Sequence, residues 1–241
     1  MRVIYLSPHL DDAVLSAGGL IHDQAKAGRE IEIWTLMSGV PGDEELSDFA
    51  KQMHAAWGTT TAPKTLRQRR AEDRKAVATV GARPVHFDFL DCIYRRDEKG
   101  RPLYDEAPYA PIHPYGGALP ARIAEALRAR LRDDDAVVCQ LGIGEHVDHV
   151  LVRAAADMLE RPLRYDADLP YLLNHPEELT GRTSSMQSLV EPVSPSGMDA
   201  WLRAIEAYRS QLSTLFESRD SMRERMRGYW SETGGIRLWS R

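Results

Sequence analysis

Two short polar clusters in this 241-residue chain combine residue types that can hold a cation and move a proton. The first is His9-Leu10-Asp11-Asp12, the second His146-Val147-Asp148-His149. Adjacent carboxylates beside a histidine repel one another, and a divalent cation among them removes that cost. His9 through nitrogen and Asp12 through oxygen are ordinary zinc donors, which leaves Asp11 beside the metal, free to take a proton from water. In the second cluster, His146 and His149 stand three residues apart and share a face if a helix starts there. His149 then supplies a third donor and His146 lies by the open coordination position. Asp148 is placed to orient a histidine by accepting its second ring proton. A plainer reading stands beside this one: Asp11 or Asp12 caps a helix, and a polar helix start happens to hold two histidines.

The clusters acquire meaning from the elements that precede them. Residues 2–7 (RVIYLS) read as a short buried strand ended by Pro8, followed by a helix from about 12 to 27 that Gly28 closes. Residues 30–38 read as a second strand, so the chain opens β-α-β and favours a parallel sheet with right-handed crossovers. Helices are expected over 43–57 and 65–80, with Thr59–Pro63 between them, and a third strand over 83–90. Residues 94–117 hold several Pro, Gly and Tyr without a helical period and read as a long variable loop beside the site. A helix over 118–132, a fourth strand over 136–142 and a helix over 147–160 follow. One or two further strands are expected within 162–193. A long helix capped by Ser196, with Asp199 completing a capping box, is expected to reach about Phe216. The tail, 217–241, carries Trp230, Ile236 and Trp239 and is expected to pack on the body of the protein.

The fold expected is α/β: a Rossmann-like open, mainly parallel sheet flanked by helices, one domain over residues 1–241. In such sheets ligands bind beyond the carboxyl ends of the strands, where both clusters fall. Gly18-Gly19, costly inside a helix, implies a close backbone or ligand approach. No GxGxxG fingerprint follows the first strand.

Composition narrows the function classes. The formal net charge is -5, from 31 basic and 36 acidic residues, which argues against nucleic acid as a partner. No apolar run approaches the roughly 20 residues of a membrane span, and the first dozen residues do not read as a signal peptide, so a cytoplasmic location is expected. Cys92 and Cys139 read as buried free thiols. His22, His54 and His86 read as structural or surface residues, whereas His113 and His175 sit in loops that could reach a substrate. Tyr104, Tyr109 and Tyr115 read as exposed aromatics suited to a sugar platform or a subunit contact, and a homo-oligomer is possible.

At this point the chain resembles the PIG-L (LmbE-like) N-acetylglucosamine deacetylases. That family has a His-Pro-Asp-Asp type motif after its first strand and a later His-x-Asp-His motif. Leu10 stands here where the family often has proline. Arg69-Arg70-Ala71-Glu72 is similar to the family's Arg-x-x-Glu helix, Phe89-Leu90-Asp91 to a strand-end segment with an acid near the sugar site, Ala207–Gln211 to its late helix motif, and Arg237-Leu238-Trp239 to its terminal Arg-x-Trp. The resemblance implies a zinc-dependent hydrolase that removes an N-acetyl or N-acyl group from a small amino-sugar conjugate. It implies His9, Asp12 and His149 as zinc ligands, Asp11 as general base, and a protonated His146 stabilising the oxyanion or acting as acid. Asp148 would tune its neighbouring histidine, and Arg69 and Asp91 would contact substrate. Two other classes remain open at this stage: a sugar or nucleotide transferase with a metal–carboxylate site, and a metal-binding homologue without turnover.

Overall fold

The computed structural model describes residues 1–241. Its centre is β1 (Arg2–Ser7), six residues buried on both faces, as an apolar run in a doubly covered parallel sheet must be. Tyr5 of β1 is in register with Ile33 of β2 (Glu30–Thr35) on one side and Val138 of β4 (Ala136–Gln140) on the other. The full sheet has seven strands in the order β3-β2-β1-β4-β5-β7-β6. Here β3 is Arg83–His86, β5 Leu163–Asp166, β6 Gln187–Pro192 and β7 Gly235–Ser240. The first five in that order run parallel; β7 pairs antiparallel with β5 and with β6. The strand order reverses between β1 and β4, and both polar clusters leave the sheet at that switch point.

The helices are α1 (Asp12–Lys26), α2 (Asp48–Ala56), α3 (Ala62–Thr79), α4 (Leu119–Arg128), α5 (Val147–Asp157), two short turns α6 (Tyr171–Asn174) and α7 (Glu178–Thr183), α8 (Pro195–Ile205), α9 (Arg209–Leu215) and α10 (Arg219–Thr233). One cluster of 62 buried apolar residues spans both faces of the sheet, so the chain forms a single α/β domain. Ile236, Leu238 and Trp239 of the tail are buried in it through β7, and Cys92 and Cys139 are buried free thiols.

Several element boundaries differ from the sequence expectation for local reasons. The second strand stops at Thr35 because its partner β1 ends at Ser7, which forms the last pair of the ladder with Thr35. The helix expected from 43 begins at Asp48, where Ser47 accepts the Ala50 amide, and the one expected from 65 begins at Ala62 because Pro63 suits a first helical turn. The third strand ends at His86, and its continuation is a single bridge between Met37 and Asp88. The late helix is capped by Ser194 rather than Ser196. The Ser194 hydroxyl accepts from the Gly197 amide at 3.0 Å, and Asp199 faces solvent beside Arg227. That helix ends at Ile205. The chain turns at Tyr208, whose hydroxyl donates to buried Asp73 at 2.9 Å, and α9 and α10 follow as separate helices.

Gly18 and Gly19 serve packing between helices rather than a ligand. A Cβ on Gly18 would lie 2.5 Å from the Trp201 ring, and one on Gly19 would lie 2.7 Å from Val193. The Trp201 indole lies across α1 and donates to the Val14 carbonyl at 2.7 Å.

Candidate active site

The turn after β1 is tied down before any chemistry is considered. The Ser7 hydroxyl donates to the His9 carbonyl and accepts the Ala13 amide, and the His9 amide donates to Asp12 Oδ2 at 2.7 Å. Asp11 occupies the N-cap position of α1 but makes no capping hydrogen bond, so it is not a helix cap, while Asp12 stands in the first turn. After β4 the chain needs left-handed backbone at Gly144 (φ 80°), and the Tyr171 ring packs where a Cβ there would stand, 2.5 Å away. His146 then caps α5 by accepting the Asp148 amide on Nδ1 at 3.2 Å, which leaves its Nε2 free.

These two turns bring His9, Asp12 and His149 together. Asp12 Oδ2 lies 3.1 Å from His9 Nδ1 and 3.3 Å from His149 Nε2. Donors about 2.0–2.1 Å from a tetrahedral cation stand about 3.3 Å apart, so the spacing of these two pairs suits one. His149 Nδ1 is held by Asp168 at 3.1 Å, and its Nε2 is buried without a hydrogen-bond partner. An unpartnered buried imidazole nitrogen facing a carboxylate is what a cation would complete, and the site therefore suits a divalent metal. Ring nitrogens of His9, His146 and His149 lie within 4.8 Å of one another.

Asp148 does not reach its neighbour His146 with its carboxylate. Oδ2 lies 3.0 Å from His9 Nε2, while the same side chain pairs with buried Arg95 and accepts the Cys92 amide. It therefore orients His9, leaving Nδ1 turned to Asp12.

Arg69 and Asp91 are both buried and both reach the site. Arg69 stands 3.8 Å from Asp11 and 3.8 Å from Asp91, stacked 4.7 Å over Trp57, and Asp91 lies 3.9 Å from His9 Nε2. His9, Asp11, Asp12, Arg69, Asp91 and His146 line a cavity of about 160 Å³, completed by the faces of α2 and α9, by Pro108 and Tyr109, and by Tyr171; His149 and Asp148 lie outside its lining. Pro108 and Tyr109 belong to the long loop, as expected of a segment beside the site. His113 and His175 do not line it, and Tyr104 is buried under Arg95 while Tyr109 and Tyr115 are exposed.

The environment separates the two adjacent acids. Burial first, and then the charge of Asp12, push Asp11 up to about 7, although Arg69 and His9 pull the other way. Asp12 is held well below the usual carboxylate range, because His149 and His9 outweigh its burial. His149, flanked by Asp12 and Asp168, is raised to about 9 against its burial. His146 is driven well below 6.5 by burial and by the neighbouring His9 and His149. It is neutral at pH 7, not the imidazolium expected from the sequence.

Sequence reasoning missed Asp168, Arg95, Tyr171 and the α2 wall. β5 ends in Asp166, and Asp168 stands two residues on at the same sheet edge, so this acid pair at a strand end was a signal. Nothing in the sequence marked Arg95.

Residues 4–159 match the family described as PIG-L, GlcNAc-PI de-N-acetylase. Among solved structures, the zinc-inhibited form of teicoplanin deacetylase is 27% identical, with 100% of this chain and 97% of that one covered at a TM-score of 0.82. An antimicrobial pseudoaglycone deacetylase is 26% identical, with 99% and 96% covered at 0.77. The N,N'-diacetylchitobiose deacetylase of Pyrococcus horikoshii, at 19% identity, 99% and 81% coverage and 0.56, shares the fold. No curated protein compared with the chain matches it.

Proposed function

The chain belongs to the PIG-L family, and from that premise we propose that it is a metal-dependent hydrolase that removes an N-acetyl or other short N-acyl group from an amino-sugar conjugate. Its similarity over nearly the whole length of known deacetylases supports the reading. The observation that carries it is the buried, unpartnered Nε2 of His149 beside an Asp12 carboxylate that also meets His9.

His9, Asp12 and His149 would hold the cation, and two imidazoles with one carboxylate favour zinc. When bound, such an ion supplies Lewis acidity and lowers the pKa of water. Asp11 takes the proton of the attacking water; its raised pKa lets it keep that proton and then deliver it to the departing amine. His146, neutral and anchored at Nδ1, donates from Nε2 to the oxygen that becomes negative as the amide carbonyl turns tetrahedral. Asp148 fixes the His9 ring and Asp168 the His149 ring. Arg69 and Asp91 bind hydroxyls of the sugar. Arg69 is the one Lys or Arg lining the cavity and already stands between two carboxylates, so a diphosphate would find little counter-charge there.

The test is acetate release from a panel of N-acetylglucosaminyl conjugates by the zinc-loaded protein and by its Asp11→Asn variant. Release by the native protein alone supports the proposal. No release from any conjugate with zinc bound would overturn it.

A further inference from the structure

The cavity has two unlike ends. At one end stands His146 beside two aromatic rings: Tyr109 lies 5.9 Å from His146, and Tyr171, which also lines the cavity, packs 5.2 Å from His149 behind it. At the other end Arg69 bridges Asp11 and Asp91 and lies flat on Trp57, so the polar floor gives way directly to an apolar wall. That wall is one face of α2 and its C-terminal end. Phe49, Met53 and Trp57 recur at four-residue spacing and all line the cavity, with Leu215 of α9 opposite. Met53 and Leu215 are only partly buried, although both are apolar.

Taking the amide hydrolysis proposed above as given, these two ends divide the substrate. An amide placed at His146 points its acyl group toward Tyr109 and Tyr171, and because the whole cavity of about 160 Å³ must also take the sugar, it leaves room for a short acyl chain only. The sugar hydroxyls meet Arg69 and Asp91. Whatever is attached to the sugar then leaves over Trp57, Met53 and Leu215. Apolar side chains in contact with water at a substrate opening gain from an apolar group laid on them. We propose that the group attached to the amino sugar, its aglycone, is apolar where it meets the sugar, and that the α2–α9 wall recognises it.

The binding difference can be read without turnover. Calorimetry of the metal-loaded protein with methyl and hexyl β-D-glucoside, neither of which carries an amide, is expected to give at least about tenfold tighter binding of the hexyl compound. Met53→Ser with Leu215→Ser should shrink that preference to a few-fold, and Met53→Leu should keep it. Equal affinities for the two glucosides in the native protein would overturn the proposal. So would tighter binding of methyl N-hexanoylglucosaminide than of methyl N-acetylglucosaminide, because the wall would then be holding the acyl chain. Absence of acetate release from the N-acetyl glycosides would instead sink the hydrolase reading, while the glucoside affinities would still decide the wall.

Discussion

The carboxylate of Asp148 lies 3.0 Å from Nε2 of His9, across 139 residues of sequence and across the switch point of the sheet. A carboxylate there favours the proton on Nε2 and leaves Nδ1 turned to Asp12. The second cluster thus completes the first through its acid as well as through His149.

Asp148→Asn should therefore weaken metal binding. Partners that orient a ligating histidine are commonly worth about 10–100-fold in affinity, and a loss of that size is expected in a chelator competition titration. The variant also leaves Arg95 buried beside a neutral amide, so a lowered melting temperature should accompany the loss. Unchanged metal affinity would show that His9 is held by other means.

Metal uptake should release protons at neutral pH. In the metal-free protein His149 is raised to about 9, so its ring is charged at pH 7 and must lose that proton to become a ligand. Calorimetry in buffers of different ionisation enthalpy should show this release, and metal affinity should rise with pH until about 9. The same shift carries a stability consequence for the metal-free protein. A histidine raised in the folded state stabilises it fully below the unfolded value of about 6.5. That contribution is lost as pH climbs through about 9. The melting temperature of the metal-free protein should fall across that window.

The acid limb of kcat/KM should belong to Asp11. Its metal-free value of about 7 can only fall when a cation joins the site, so the limb should lie below pH 7, with activity lost as the pH drops through it. Arg69 is among the groups that hold Asp11 down, so Arg69→Met should move the limb upward as well as raise KM. An unmoved limb in that variant would assign it to another group.

Gly18→Ala should destabilise the fold without touching the chemistry. The new methyl would stand 2.5 Å from Trp201, and overpacking of this kind costs about 1–3 kcal/mol. Thermal unfolding should register that cost, and metal affinity of the folded fraction should be unchanged. A loss of metal affinity instead would return these glycines to the site.

What the sequence alone determined is local. A strand ending in a polar turn that opens a helix is written in a few neighbouring residues, which is why His9–Asp12 after β1 and His146–His149 after β4 were legible, along with the parallel α/β class. The burial of Cys92 and Cys139 was legible for the same reason. Contacts that join distant segments were not: Asp148 to His9, Asp168 to His149, Arg69 between Asp11 and Asp91, and Arg95 under Asp148 depend on strand order and helix packing. The tertiary structure also decided protonation. Desolvation and neighbouring charge separate Asp11 from Asp12 and leave His146 neutral, and both effects arise only when strands β1, β4 and β5 stand side by side and exclude water from their carboxyl ends.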